Sequence, residues 1–215
     1  MAEACRRVGR DPAGVQLVAV SKTVPVARLE AAIAAGLTTL GENRVQEADS
    51  KSALLTGASW HLVGPLQSNK ARRAVELFDV IESVDSVELA HRLDRLAGEL
   101  GRAPLGAYLQ VNVDRDDAKA GFEPETLAAK AGELAVLSNL RLLGLMTVGR
   151  LVFSAEEARP TFERLRALSG RLRAAVPGLG AGLSMGMTDD YAVAVEEGAT
   201  VIRVGRALFG TRQVG

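Results

Sequence analysis

The sequence predicts a single closed (β/α)8 barrel, and three observations carry that prediction. Short runs of β-branched and aliphatic residues alternate with amphipathic segments along the whole chain, the pattern of strand and crossover helix repeated. Eight such runs share 215 residues, leaving about 27 per unit, at the economical end of the range for this fold. No Gly-x-Gly-x-x-Gly follows the first run, so the fingerprint of the open, dinucleotide-binding alternative is missing. No linker interrupts the pattern, and residues 1–215 read as one domain.

The first strand is Leu17 to Lys22 (LVAVSK), with a helix from Val26 to Ala35 closing on Gly36. Thr39 to Asn43 is the second strand, followed by a helix through Gln46 and Ala53. Trp60 to Gly64 is the third, with a helix around Asn69 to Leu77. Val80 to Asp85 is the fourth. Its helix is the plainest of the first half, because Ser86 can cap it and Val87, Ala90, Leu93, Ala97 and Leu100 recur at spacings of three and four before Gly101. Ala107 to Val113 is the fifth strand, and its helix reads from Pro124 to Leu137. Leu142 to Thr147 is the sixth, and its helix carries Ala158, Phe162, Leu165, Leu168 and Leu172 on one face. Leu183 to Gly186 is a Gly-bounded seventh strand with a helix from Asp189 to Glu197, and Val201 to Gly205 closes the set. Strands buried on both faces should be nearly continuous in apolar residues, as LVAV is.

Composition narrows the function classes. Lys plus Arg and Asp plus Glu are both 26, so no net field gathers nucleic acid or an anionic membrane. No run approaches the roughly 18 apolar residues of a membrane helix, and the N-terminus has no apolar core of a secretory signal. One cysteine, Cys5, cannot form an internal disulfide. The expectation is a cytoplasmic protein, most simply a monomer. Two histidines far apart leave no metal-ligand spacing, so no metal is expected, and no Gly-x-Ser-x-Gly marks a serine nucleophile.

In such a barrel the chemistry sits at the carboxyl ends of the strands. There the sequence places Lys22; Glu42 and Asn43; His61; Ser83 and Asp85; Asn112; Met146 and Thr147; Ser184, Gly186 and Thr188; and Arg203, Gly205 and Arg206. Lys22 follows four apolar residues. It is either a surface lysine whose stem snorkels or an amine desolvated at the mouth, with a lowered pKa suited to a Schiff base. Ser184, Gly186 and Thr188, between a strand and a helix, and Gly205 with Arg206, after the last strand, supply hydroxyls and free amides for a phosphate. Phosphate sites in these barrels are often built from the loops after strands seven and eight. Arg203, inside an apolar strand, pairs with a carboxylate in the barrel or points at a ligand. His61 and Asn43 are either ligand contacts or satisfied polar groups of the core. A Schiff-base lysine, a phosphate pocket and a buried arginine in one mouth jointly describe a pyridoxal 5'-phosphate site.

The runs LVAVSKT, GENRVQE, WHLVGPLQSNK, SVD, GLM, LSMGMTDDY and VIRVGRALFG resemble the pyridoxal phosphate homeostasis protein family, over nearly the whole chain. The resemblance implies a barrel like the N-terminal domain of alanine racemase (fold type III) that buffers and delivers pyridoxal 5'-phosphate without established turnover, meeting apo enzymes transiently. By motif, Lys22 would be the Schiff-base lysine, and Ser184 and the amides near Gly205 and Arg206 would hold the phosphate. Arg203 would face the ring nitrogen. Two departures stand out: the family's usual first helix is only partly present, and the stretch TVGRLVFSAEEARP is short, so that the sixth loop is expected to be more open. The rivals are a racemase-like enzyme, for which 215 residues leave no second domain, and a cofactor-free Schiff-base aldolase, which normally carries its lysine on a later strand.

Overall fold

The computed structural model describes residues 1–150 and 152–210; Leu151, in the sixth loop, lies outside the described residues. Eight parallel strands close on themselves in chain order: β1 (Gln16–Val20), β2 (Thr39–Glu42), β3 (Ser59–Leu62), β4 (Val80–Val84), β5 (Leu105–Gln110), β6 (Leu140–Met146), β7 (Gly182–Ser184) and β8 (Val201–Val204). Closure is made by β1, which pairs Ala19 with Leu40 of β2 on one side and Val18 with Arg203 of β8 on the other. The predicted barrel is therefore the observed one.

A helix follows each strand: α2 (Val26–Ala34), α3 (Val45–Ser52), α4 (Ala71–Leu77), α5 (Val87–Glu99), α6 (Pro124–Ala135), α7 (Arg159–Ala175), α8 (Tyr191–Glu196) and α9 (Arg206–Phe209). Their ends have local causes. Ser86 caps α5 by accepting the Leu89 amide at 3.2 Å, and prolines open α6 and α7, where the missing N–H costs nothing. The α7 face predicted from spacing is the buried one, with Phe162, Leu165, Leu168 and Leu172 against the sheet. Ahead of the barrel, α1 (Ala2–Arg7) buries Cys5 and docks near α8, and Arg10 just beyond it donates to the Val195 and Ala199 carbonyls at 2.6 and 2.8 Å.

Two cores result. The larger lies between sheet and helices. The smaller comprises Val18, Val80, Tyr108, Met146 and Val201, from strands that are mostly not neighbours, and such residues meet only inside the ring. Period-two alternation then assigns every strand residue to the lumen or to the helix side.

The strands stop one to three residues earlier than predicted, which moves Lys22, Asn43, Asp85, Thr147, Gly186 and Gly205 from strand into loop. The fifth strand shows why. Asn112 donates to the Asp116 and Lys119 carbonyls and accepts the Asp116 amide, so its side chain builds a turn where a β-ladder was expected. Asp190 likewise takes the Met187 amide at 2.6 Å and delays α8 to Tyr191.

Burial separates two phenylalanines cleanly. Phe162→Ala should cost about 3–5 kcal/mol in urea unfolding, whereas Phe153→Ala, at a fully exposed position in the sixth loop, should change stability by less than about 0.5 kcal/mol.

Candidate functional site at the barrel mouth

The lumen carries one buried charge network. Glu82, fully enclosed on β4, has its Oε1 2.6 Å from His61 Nδ1, and its Oε2 accepts from Ser184 Oγ at 2.5 Å. Arg203 donates through Nη1 to the same serine at 2.5 Å and through Nη2 to the Thr147 carbonyl at 2.7 Å. Its guanidinium lies 3.9 Å from Glu82. Arg203 thus has a carboxylate partner within the barrel, with Ser184 as the bridge. His61 is buried, with its Nδ1 engaged by Glu82.

Burial alone would raise the Glu82 pKa, but the hydrogen bond and charge of His61, the charge of Arg203 and the Ser184 hydroxyl outweigh it and hold the carboxyl below its ordinary value. Burial pushes Arg203 down, against Glu82 and Asp190. Tyr108, whose ring lines the lumen, is pushed up to about 12 by burial and by the Glu82 charge.

Above this network lie the loops. Lys22 lies two residues beyond the end of β1, in the loop that leaves the strand at the mouth. The desolvation expected of it is not found: Lys22 is exposed, because the strand ends before reaching it. Asn43 is half-buried at the end of β2, its backbone pressed on Gly64, where a Cβ would come within 2.4 Å of the Asn43 carbonyl oxygen. Met146 is buried in the lumen wall.

After β7, Gly186 has φ +91 and a Cβ there would meet Ala194 Cβ at 2.5 Å, so only glycine brings this loop so close to α8. Thr188 is half-buried in the same loop. After β8, α9 starts on Gly205 with no side-chain cap, and the Arg206 side chain is exposed and ion-paired with Asp189. The ten residues singled out thus sort into two tiers. His61, Met146, Ser184 and Arg203 lie in the lumen, and Lys22, Asn43, Gly186, Thr188, Gly205 and Arg206 lie in the rim loops. The Ser184 hydroxyl, expected to hold phosphate, is engaged here by Glu82 and Arg203.

Two charged residues escaped the sequence reading. Glu82 interrupts an apolar strand just as Arg203 does, and the same argument applied to both would have paired them. Lys51 reads as a surface helix residue four past Glu47, yet it is buried beneath the end of β1. Among the described residues no group of three His, Cys, Asp or Glu is placed to hold a metal. A cavity of about 440 Å³ on the flank is lined by Arg115, Arg150, Arg164 and Arg171, but it lies between the fifth and sixth loops and α7. There Arg164 answers the buried Asp114 carboxylate at 2.7 Å and Arg115 answers Glu125 at 2.5 Å.

The alanine racemase N-terminal domain family matches residues 2–213. A pyridoxal phosphate homeostasis protein of Pseudomonas aeruginosa is 46% identical over 215 residues, covering 99% of this chain and 91% of that one. The chain belongs to the pyridoxal phosphate homeostasis protein family. The family's member in Synechocystis is 42% identical over 204 residues, covering 94% and 93% of the two chains. PipY of Synechococcus elongatus, solved with PLP bound, superposes with a TM-score of 0.88 at 48% identity, over 97% of this chain and 99% of that one. An alanine racemase of Clostridium difficile shares the fold alone, with a TM-score of 0.78 at 15% identity, and 58% of its chain is covered.

The lumen network predicts an acid-side stability term. Because the folded Glu82 lies below its ordinary value of 4.5, its ionised form stabilises the fold above that value, and the contribution is lost as pH falls through the folded value. Glu82→Gln strands Arg203 and should cost about 3–5 kcal/mol at neutral pH. Urea titrations should also show a shallower loss of stability on acidification than in the parent protein.

Proposed function

We propose that this chain binds pyridoxal 5'-phosphate through Lys22 and serves the homeostasis of that cofactor in the cytoplasm, holding and delivering it without turning over a substrate of its own. One juxtaposition carries the reading. The exposed Lys22 follows β1 by two residues, the buried guanidinium of Arg203 stands on β8, the strand that pairs with β1, and a glycine-led helix start follows β8 directly.

When bound, this cofactor supplies an aldehyde, a phosphate and a pyridine ring whose nitrogen can carry a proton. The residues fit all three. The Lys22 amine would hold the aldehyde, the Thr188 hydroxyl and the amides around Gly186, Gly205 and Arg206 would hold the phosphate, Met146 would form the wall beneath, and Asn43 would flank the lysine. Ser184 and His61 act through their hydrogen bonds, Ser184 by fixing one Nη of Arg203 and His61 by fixing Glu82.

Arg203 sets the chemical character of the site. A guanidinium has only donors and does not give up its proton, so opposite a ring nitrogen it opposes protonation there. An unprotonated ring is a poor sink for a carbanion, which supports binding over turnover. A monomer that meets apo enzymes transiently completes this reading, since delivery requires an accessible mouth, and Lys22 is accessible.

The test is optical and then covalent. Protein mixed with pyridoxal 5'-phosphate should absorb in the visible, and borohydride should fix the cofactor's mass on Lys22. Lys22→Ala should abolish both. Loaded protein should activate an apo enzyme, and amino-acid racemisation should stay at the buffer level. Brisk racemisation would overturn the non-catalytic reading. A colourless protein that traps a sugar phosphate would turn it into an aldolase.

A further inference from the structure

We infer that Lys51 is a positioning residue for Lys22, clamping the end of β1 from behind so that the Lys22 amine is presented to the mouth. The inference rests on the function proposed for Lys22.

The geometry is that of a saturated ammonium. Lys51 Nζ donates to the Ser21 carbonyl, to Glu42 Oε1 and to Glu47 Oε1, each at 2.8 Å, which uses all three of its N–H bonds. Glu47 Oε1 also accepts the Thr23 amide at 2.5 Å. The carbonyl of the peptide before Lys22 and the amide of the peptide after it are therefore both held, by two side chains one helical turn apart on α3. Ser21 is anchored in turn, its hydroxyl donating to Glu42 Oε1 at 2.7 Å and its amide to the Gly41 carbonyl at 2.9 Å.

This arrangement answers a backbone requirement. Thr23 has φ 63, a left-handed conformation that a β-branched residue rarely adopts and that surrounding contacts must impose. The Glu47 hydrogen bond is such a contact. With Thr23 so held, the chain turns sharply after Lys22, while Ser21 is tied to Glu42 and Lys51 on the α3 side.

The clamp also separates the two lysines chemically. Lys51 is buried with every N–H engaged, so its amine has no lone pair to offer an aldehyde, whereas Lys22 is exposed. Because α3 begins two residues after Asn43, the same two side chains tie the Lys22 turn to the element that carries Asn43. Burying an ammonium is costly, and a turn can be held with neutral groups; fixing the reactive residue's own peptide units is what this charge achieves.

The experiment compares the parent protein with Lys51→Met and, because that variant can fail to fold, with Glu47→Gln at the half-buried position. Amide hydrogen exchange at Thr23 reports the clamp, and titration of visible absorbance with pyridoxal 5'-phosphate, followed by borohydride mapping, reports presentation of Lys22. Both variants should exchange faster at Thr23 and bind the cofactor about tenfold more weakly or worse, with part of the label moved off Lys22. Variants that fold, bind as tightly and label Lys22 alone overturn the clamp, whatever their melting temperatures. A parent protein that does not label at Lys22 overturns the proposed function itself, and the clamp's role with it.

Discussion

Ring closure is the constraint on which the rest of this structure depends. A closed sheet has no edge, so every strand residue faces either the lumen or the helices, and a polar side chain sent inward meets only other inward side chains. Glu82, His61, Ser184 and Arg203 come from four different strands and satisfy one another for this reason. A shift of one residue in β8 would send Arg203 outward and leave Glu82 without its cation. Register, electrostatics and the direction of the site are one condition here.

The outward face obeys the same rule with different partners. Ser21 and Glu42 point away from the lumen at the ends of β1 and β2, and α3 covers them with a lysine. Glu42 and Glu47 share that lysine but respond in opposite directions. Burial raises Glu42 despite its hydrogen bonds to Lys51 and Ser21. Burial also opposes Glu47, but it is shallower there, and the bonds from Lys51 and the Thr23 amide bring that carboxyl below its ordinary value. The deeper of two carboxylates on one cation is the one whose charge is the more costly to keep.

The fold was legible because its signal is periodic and repeated. Eight apolar runs with amphipathic spacers leave few topologies, and parallel crossovers leave fewer. The position of the candidate site was legible in outline, since strand ends are where polar residues gather and Lys22, Gly186 and Gly205, which interrupt the pattern conspicuously, all lie in loops that follow the strands. Environment was less legible. Lys22 is open between a surface lysine and a desolvated amine, and Lys51, in a polar helix with Glu47 four residues before it, draws no notice; the structure exposes the first and buries the second, the reverse of what their local sequence suggests. Depth depends on where β1 stops relative to α3, a tertiary fact that no local window contains. The bond between Ser184 and Glu82, 102 residues away on β4, was invisible for a similar reason.

That reversal bears on how a carrier differs from an enzyme in the same barrel. An enzyme gains from a buried, lowered-pKa lysine that keeps its cofactor enclosed through many turnovers, because water exclusion strengthens every electrostatic contact on the reacting atoms. A carrier must take up and surrender its cargo, so its covalent anchor should stand in water while its orientation is enforced from elsewhere. The two tiers of this mouth divide those tasks. The lumen network and the α3 cluster are buried and fixed, and the rim holding Lys22, Thr188 and Arg206 is open. With 26 basic and 26 acidic residues there is no global field to draw in an anion, so holding the proposed cofactor would fall to short-range donors at the rim. If Lys22 is the anchor proposed above, rigidity placed behind it, with exposure at the lysine itself, would let it be both well aimed and easily vacated.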